Sequence, residues 1–180
     1  MSIVSDLKKG QFRKRLLRDV AAPRQLTGKP PHPDHATHLT ILFPADSAED
    51  RKAVDRWRDA NSRSGRKLRL LGYFEQEVGS ASFDFSVVSV RDLNWFGLPQ
   101  GEVVEQFRQE PTEILLRLGP PDHPVLNYLA AIRPAMLKVG PYSATDLLSY
   151  YQILFDAGAT ARPDQQFAAI QQIFSFTNAH

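Results

Sequence analysis

The stretch QFRKRLLRDV, residues 11–20, sets Arg13, Lys14, Arg15 and Arg18 among Phe12, Leu16, Leu17 and Val20. Lys8 and Lys9 stand just ahead of it, so six cations fall within eleven residues. Such a cluster attracts polyanions, because each phosphate that a Lys or Arg neutralises releases condensed counterions. Phe12, Leu16 and Val20 recur at every fourth position, one stripe of a helix with Gly10 as a weak point in it. Two kinds of partner fit this pattern. One is RNA, above all ribosomal RNA or a ribonucleoprotein assembly, contacted by Lys8, Lys9, Arg13, Lys14, Arg15 and Arg18. The other is an anionic membrane surface or a protein scaffold that takes up the apolar stripe.

The remaining chemistry-bearing residues are more dispersed. RDLNWFGLPQ, residues 91–100, is a loop that exposes aromatics unless it folds back over the sheet edge; exposed, Asn94, Trp95 and Phe96 would form a partner-docking or stacking surface. HPDHATH brings His32, Asp34, His35 and His38 close in sequence, a potential set of metal ligands, but the flanking prolines predict an extended run and no metal site. FPADSAED is the first strand-to-helix turn, where an open parallel sheet binds ligands. It lacks a glycine-rich phosphate loop, and Asp46, Glu49 and Asp50 repel an anion there. Asp84 and Asp92 read as capping residues more readily than as paired carboxylates, and His123 as a helix-entry residue. Arg108, Arg117 and Arg133 lie on different elements and define no patch. No cysteine, no Gly-x-Ser-x-Gly frame and no local His-Asp pair in a recognisable frame is present, so no nucleophile constellation stands out, and no cofactor is expected.

The elements that must position these residues follow from hydropathy patterning. AAPRQLTGKPPHPDHA, with four prolines and a glycine in sixteen residues, predicts an extended linker. HLTILFP (38–44) reads as a strand buried on both faces. A helix over about 47–63 follows, with Asp46 as N-cap and Ala48, Val54, Trp57 and Ala60 inward. Further strands are predicted at 67–74, 82–90, 112–119, 136–142 and 151–156, and helices at 101–110, 123–133 and 163–176. Alternating strands and helices imply right-handed crossovers. The expected fold is therefore a three-layer Rossmann-like α/β domain with a mostly parallel sheet of five or six strands. It would occupy 37–180, with the basic helix and linker in 1–36.

Composition narrows the class. Residues 1–29 carry eight Lys and Arg against two acids, whereas the rest carries 14 against 18, so the basic character belongs to the arm. The absence of cysteine excludes disulfides and thiolate metal sites and agrees with a reducing compartment. No apolar run reaches about 18 residues, and Asp6, Lys8 and Lys9 break up any secretory core, so a cytoplasmic protein is expected.

Two stretches also carry a resemblance. DLNWFGLP together with PTEILLRLGPPDHPVLNYLAAIRPAMLKVGPYS resembles an uncharacterised bacterial family of short α/β proteins with a basic N-terminal helix and an Asn-Trp-Phe-Gly-x-Pro segment. The likeness extends over most of 40–176 and implies the fold but no activity. The second stretch is also similar, over roughly 30 residues, to part of the N-terminal Rossmann-like domain of heptosyltransferase-type glycosyltransferases. That likeness implies a sugar-nucleotide or small-molecule binding domain as an alternative function. The primary expectation is a non-catalytic RNA-binding or ribosome-associated protein.

Overall fold

The computed structural model describes residues 28–144, 150–158 and 160–177, together with Gly10, Lys14, Arg15, Arg18 and Leu26. Six strands form one sheet: β1 (His38–Pro44), β2 (Lys67–Phe74), β3 (Ser86–Ser89), β4 (Thr112–Arg117), β5 (Ala135–Pro141) and β6 (Ile153–Phe155). Their order is β3-β2-β1-β4-β5-β6, and every neighbouring pair is parallel. This is the open, doubly wound arrangement, whose strand order reverses between β1 and β4. Both edge strands are short, which limits the unpaired backbone offered to another chain.

Helices cover both faces because the strands alternate buried side chains toward each. Helix α1 (Ala48–Asn61) and helix α4 (Pro163–Thr177) share one face. There Leu39, Ile41, Phe43, Ile114 and Leu116 meet Val54, Phe167, Ile170 and Phe174. Trp57 stacks on Phe167 with ring centroids 4.5 Å apart and planes 8° from parallel, a pair that adds roughly 1 kcal/mol to the area it buries. Helix α2 (Glu102–Gln109) and helix α3 (Pro124–Ile132) cover the other face over Leu42, Leu71, Tyr73, Val88 and Leu115. Helix α3 is buried along nearly its whole length because its sequence, PVLNYLAAI, is apolar on every side.

Several boundaries differ from the sequence expectation, each for a local reason. The N-cap of α1 is Ser47, whose side chain accepts from Asp50 N. Asp46 instead turns to the next loop and accepts the Glu75 amide at 3.0 Å. Ala48 and Ala60 are exposed, and Ala53 and Val54 fill the inner face beside half-buried Trp57. Strand β3 spans 86–89 and not 82–90. Ser89 and Asp92 close a reciprocal cap that turns Val90–Asp92 into a 3₁₀ turn, while Phe83 and Phe85 leave the strand to pack on Phe74 and Phe43. Within the predicted extended linker, residues 32–36 form a turn, with His35 N and Ala36 N both donating to His32 O. Ala36 is fully buried, and the His32 ring stands edge-on to Phe174.

Candidate functional site

The reversal point at the carboxyl ends of β1 and β4 is where this architecture ordinarily holds a ligand. Here it is filled by the protein itself. Gly119 has φ +100° and lies so close to Pro44 that a Cβ on it would stand 2.7 Å from the proline ring. Its N–H donates to Gln166 Oε1 at 2.8 Å, and its carbonyl accepts from the fully buried Arg117 at 2.9 Å. The loops after β1 and β4 are thus tied to each other and to α4.

Beside this plug, His123 caps α3. Its Nδ1 accepts from Leu126 N at 3.4 Å, its Nε2 faces Glu75 Oε1 at 3.4 Å, and its ring meets Tyr73 edge-on at 5.2 Å. Burial, and next the charge of Arg117, lowers the His123 pKa from its usual value. Burial, with Glu75 and Asp46 nearby, pushes the Tyr73 hydroxyl up to about 12. A neutral ring with Nδ1 engaged as an acceptor carries its proton on Nε2, which is buried 3.4 Å from Glu75 without a formed hydrogen bond, so no lone pair of the ring faces solvent for base catalysis. The loops around it hold Asp46, Glu49 and Glu75 together with Arg51, which donates to Asp46 O at 3.0 Å, and Arg162, which meets Glu49 at 3.4 Å, so charges of both signs stand there. A further hollow of about 230 Å3 lies beyond, between Asp122, Tyr142, Phe155, Gly158 and Gln166.

The opposite, amino-terminal edge of the sheet gathers several bases. In a parallel sheet all strands start on one side, so His38 on β1 and Lys67 on β2 are paired in register, with Arg69 two residues on. Arg133, the C-cap of α3, closes the same corner. Its guanidinium lies over the Phe107 ring at 4.5 Å and donates to Phe107 O at 2.5 Å and Thr40 Oγ1 at 3.2 Å. Burial, and next the proximity of Arg69, pushes Arg133 down to about 10. These residues, with Thr112 and Glu110, line a hollow of about 250 Å3. Glu110 pairs with Arg69, both partly exposed, a contact contributing roughly 0–1 kcal/mol. Another hollow, of about 540 Å3, lies between α1, α4 and the 32–36 turn, over Leu39 and Leu116.

The other predicted residues are placed as follows. Lys14, Arg15 and Arg18 are helical and exposed; Lys8, Lys9 and Arg13 lie outside the described residues, as do Phe12, Leu16, Leu17 and Val20. In the 91–100 loop, Asn94 Oδ1 accepts from Phe96 N at 2.9 Å and Leu98 N at 3.1 Å, so its amide shapes the loop. Leu98 is buried in the core and Phe96 packs against it, while Trp95 is 72% exposed. Asp84 binds Arg58 at 2.6 Å and Asp92 accepts from Ser89 N, so the two do not meet. His32 and Asp34 approach to 3.4 Å, while His38 contacts Thr37 Oγ1; among the described residues no three His, Asp or Glu come together in a metal-binding group. Arg133 and Arg69, with Lys67, do form a basic corner that sequence spacing alone did not indicate. The available signal was that strand starts share an edge, so bases at positions 38, 67 and 69 must converge. Among the described residues, no helix is long and apolar enough to cross a membrane.

The all-parallel sheet with its reversal between β1 and β4 defines a Rossmann-like α/β protein. The chain belongs to a family of unknown function, DUF6913, whose family model matches residues 9–167. Comparison with curated proteins and with solved structures finds no match.

Proposed function

We propose that the protein is a non-catalytic RNA-binding protein that joins a ribonucleoprotein assembly through its basic arm. The observation carrying this reading is the segregation of charge: eight bases against two acids in residues 1–29, with Lys14, Arg15 and Arg18 exposed on helical backbone. The reversal point closed by Gly119, Pro44 and Gln166 supports the same reading, since it leaves little room for a nucleotide there. His123, turned toward Glu75 with its other nitrogen capping a helix, disfavours acid–base chemistry there. Trp95 is proposed as a separate docking contact, because a large exposed aromatic contributes strongly once a partner buries it.

If all six arm cations meet phosphates of a single strand, the affinity for RNA falls with salt at a slope of about −4 in log–log form. Fluorescence anisotropy with a labelled single-stranded RNA, from 50 to 200 mM salt, measures this. The expected result is tight, salt-sensitive binding that is lost when Lys8, Lys9, Arg13, Lys14, Arg15 and Arg18 are all changed to Gln. RNA affinity unaffected by those changes overturns the reading, as does preferential binding of the arm to anionic vesicles.

A further inference from the structure

The amino-terminal edge of the sheet gathers several bases, met among the described residues by Glu110 on Arg69 and by Glu113, which accepts from the His38 amide at 3.0 Å. Lys67 and His38 are exposed there, Arg69 pairs with Glu110 at the surface, and Arg133 lies buried beneath them. Arg63 and Arg66 stand on the same side, donating to Ala36 O at 3.3 and 3.1 Å, so the turn that leads in from the arm is itself pinned by arginines. The arm also enters at this edge. Gly28 lies against Met136, close enough that a Cβ on it would be 3.1 Å from Met136 Cε, and the adjacent Ala135 is paired in register with Thr112 of the hollow. One sheet spacing, about 4.8 Å, therefore separates the strand beside Gly28 from the strand that lines the hollow.

We propose that the hollow lined by His38, Thr40, Lys67, Arg69, Thr112 and Arg133 is a phosphate-binding subsite, which holds a backbone phosphate of the same RNA that the arm contacts. The proposal rests on the RNA reading above for its ligand, but not for its geometry. Its volume, about 250 Å3, suits a phosphate with part of its sugar. Glu110, the carboxylate among the described residues lining the hollow, occupies the position an incoming anion would take beside Arg69 and is displaceable because the pair is solvated, while Glu113 stands just outside on the His38 amide. Beneath, the buried Arg133 donates to two neutral oxygens, Phe107 O and Thr40 Oγ1, and its Nε has no hydrogen-bond partner among the described residues. A guanidinium so placed remains charged at neutral pH, since its pKa of about 10 is still well above 7. A cation in low dielectric without a full counter-charge is unfavourable, and an anion in the hollow relieves it.

The test uses the full-length chain, its Lys67→Glu and Glu110→Gln variants, and the arm variant with six Gln. All are first compared by melting temperature, and RNA binding is read by anisotropy. Lys67→Glu, at an exposed strand start, is expected to weaken RNA binding roughly tenfold and to reduce the magnitude of the salt slope by about one. Glu110→Gln is expected to strengthen binding severalfold. In parallel, pyrophosphate is titrated while the His38 ring resonances are followed by NMR. RNA binding by the parent that Lys67→Glu leaves unchanged overturns the subsite and leaves the arm reading standing. No RNA binding by the parent, with a pyrophosphate shift at His38 abolished by Lys67→Glu, supports the subsite and overturns the RNA reading. In that case, Lys67-dependent binding to vesicles containing a phosphoinositide assigns the phosphate to a lipid headgroup. Absence of any Lys67-dependent response to RNA, pyrophosphate or vesicles overturns the proposal.

Discussion

His123 is held neutral by its surroundings: burial raises the cost of charging it, and Arg117 adds a like charge nearby. The unfolded chain takes up a proton near the ordinary histidine value of about 6.5, whereas the folded chain resists it to lower pH. The folded pKa being the lower one, the unfolded state binds more protons in this window, so His123 contributes stability in full above about pH 6.5 and loses it as pH falls. Urea midpoints measured from pH 7.5 to 5 should therefore fall more steeply for the parent than for His123→Asn, which keeps a side-chain acceptor for the Leu126 amide. Lys138 shows the same physics in a lysine. Its Nζ donates to Ala131 O at 2.9 Å, and burial pushes it down to about 8. Lys138, Arg117 and Arg133 thus each donate to a backbone oxygen, of Ala131, Gly119 and Phe107 respectively. Chemical type alone does not reveal that arrangement, because a lysine in a strand sequence looks like a solvated one.

At the scale of elements, the decisive join is between the ends of β1 and β4. Gly119 takes a left-handed backbone and leaves no space for a side chain against Pro44. Gly119→Ala adds the cost of a positive φ to that of overpacking, and unfolding free energy should drop by roughly 2–4 kcal/mol, read as a lower urea midpoint at unchanged slope. Strand and helix order was legible from hydropathy, because fully buried parallel strands and amphipathic helices have different periods. The ends of elements were less so. Whether Asp46 or Ser47 caps α1 depends on Glu75 offering its amide to Asp46 from another loop, a competition invisible in local sequence. Likewise SFDFSVVSV has strand-forming residues throughout, and its first half leaves the sheet because Phe83 and Phe85 find aromatic partners in Phe74 and Phe43.

At the scale of the whole molecule, the turn at 32–36 joins the arm to the body. Ala36 is fully buried, His32 meets Phe174, and the carbonyls of Pro33 and Ala36 accept from Arg66. A chain beginning at residue 37 should melt roughly 5–10 °C below one beginning at residue 28, as expected for about 2–3 kcal/mol lost from a domain of this size; differential scanning calorimetry decides it. Charge is also organised at this scale, because the bases of residues 1–29 outnumber the acids by eight to two whereas in the rest of the chain acids outnumber bases by 18 to 14. The sequence by itself determined the α/β class, the parallel connections and the concentration of bases in the arm, because periodicity, crossover length and composition are properties of contiguous residues. Only the tertiary structure decided that Arg133 joins Lys67 and Arg69 in one corner, that Gly119 and Gln166 close the reversal point, and that Trp95 stays outside while Phe96 packs inward. Each depends on contacts between residues distant in the chain, and local sequence carries no record of which of them meet.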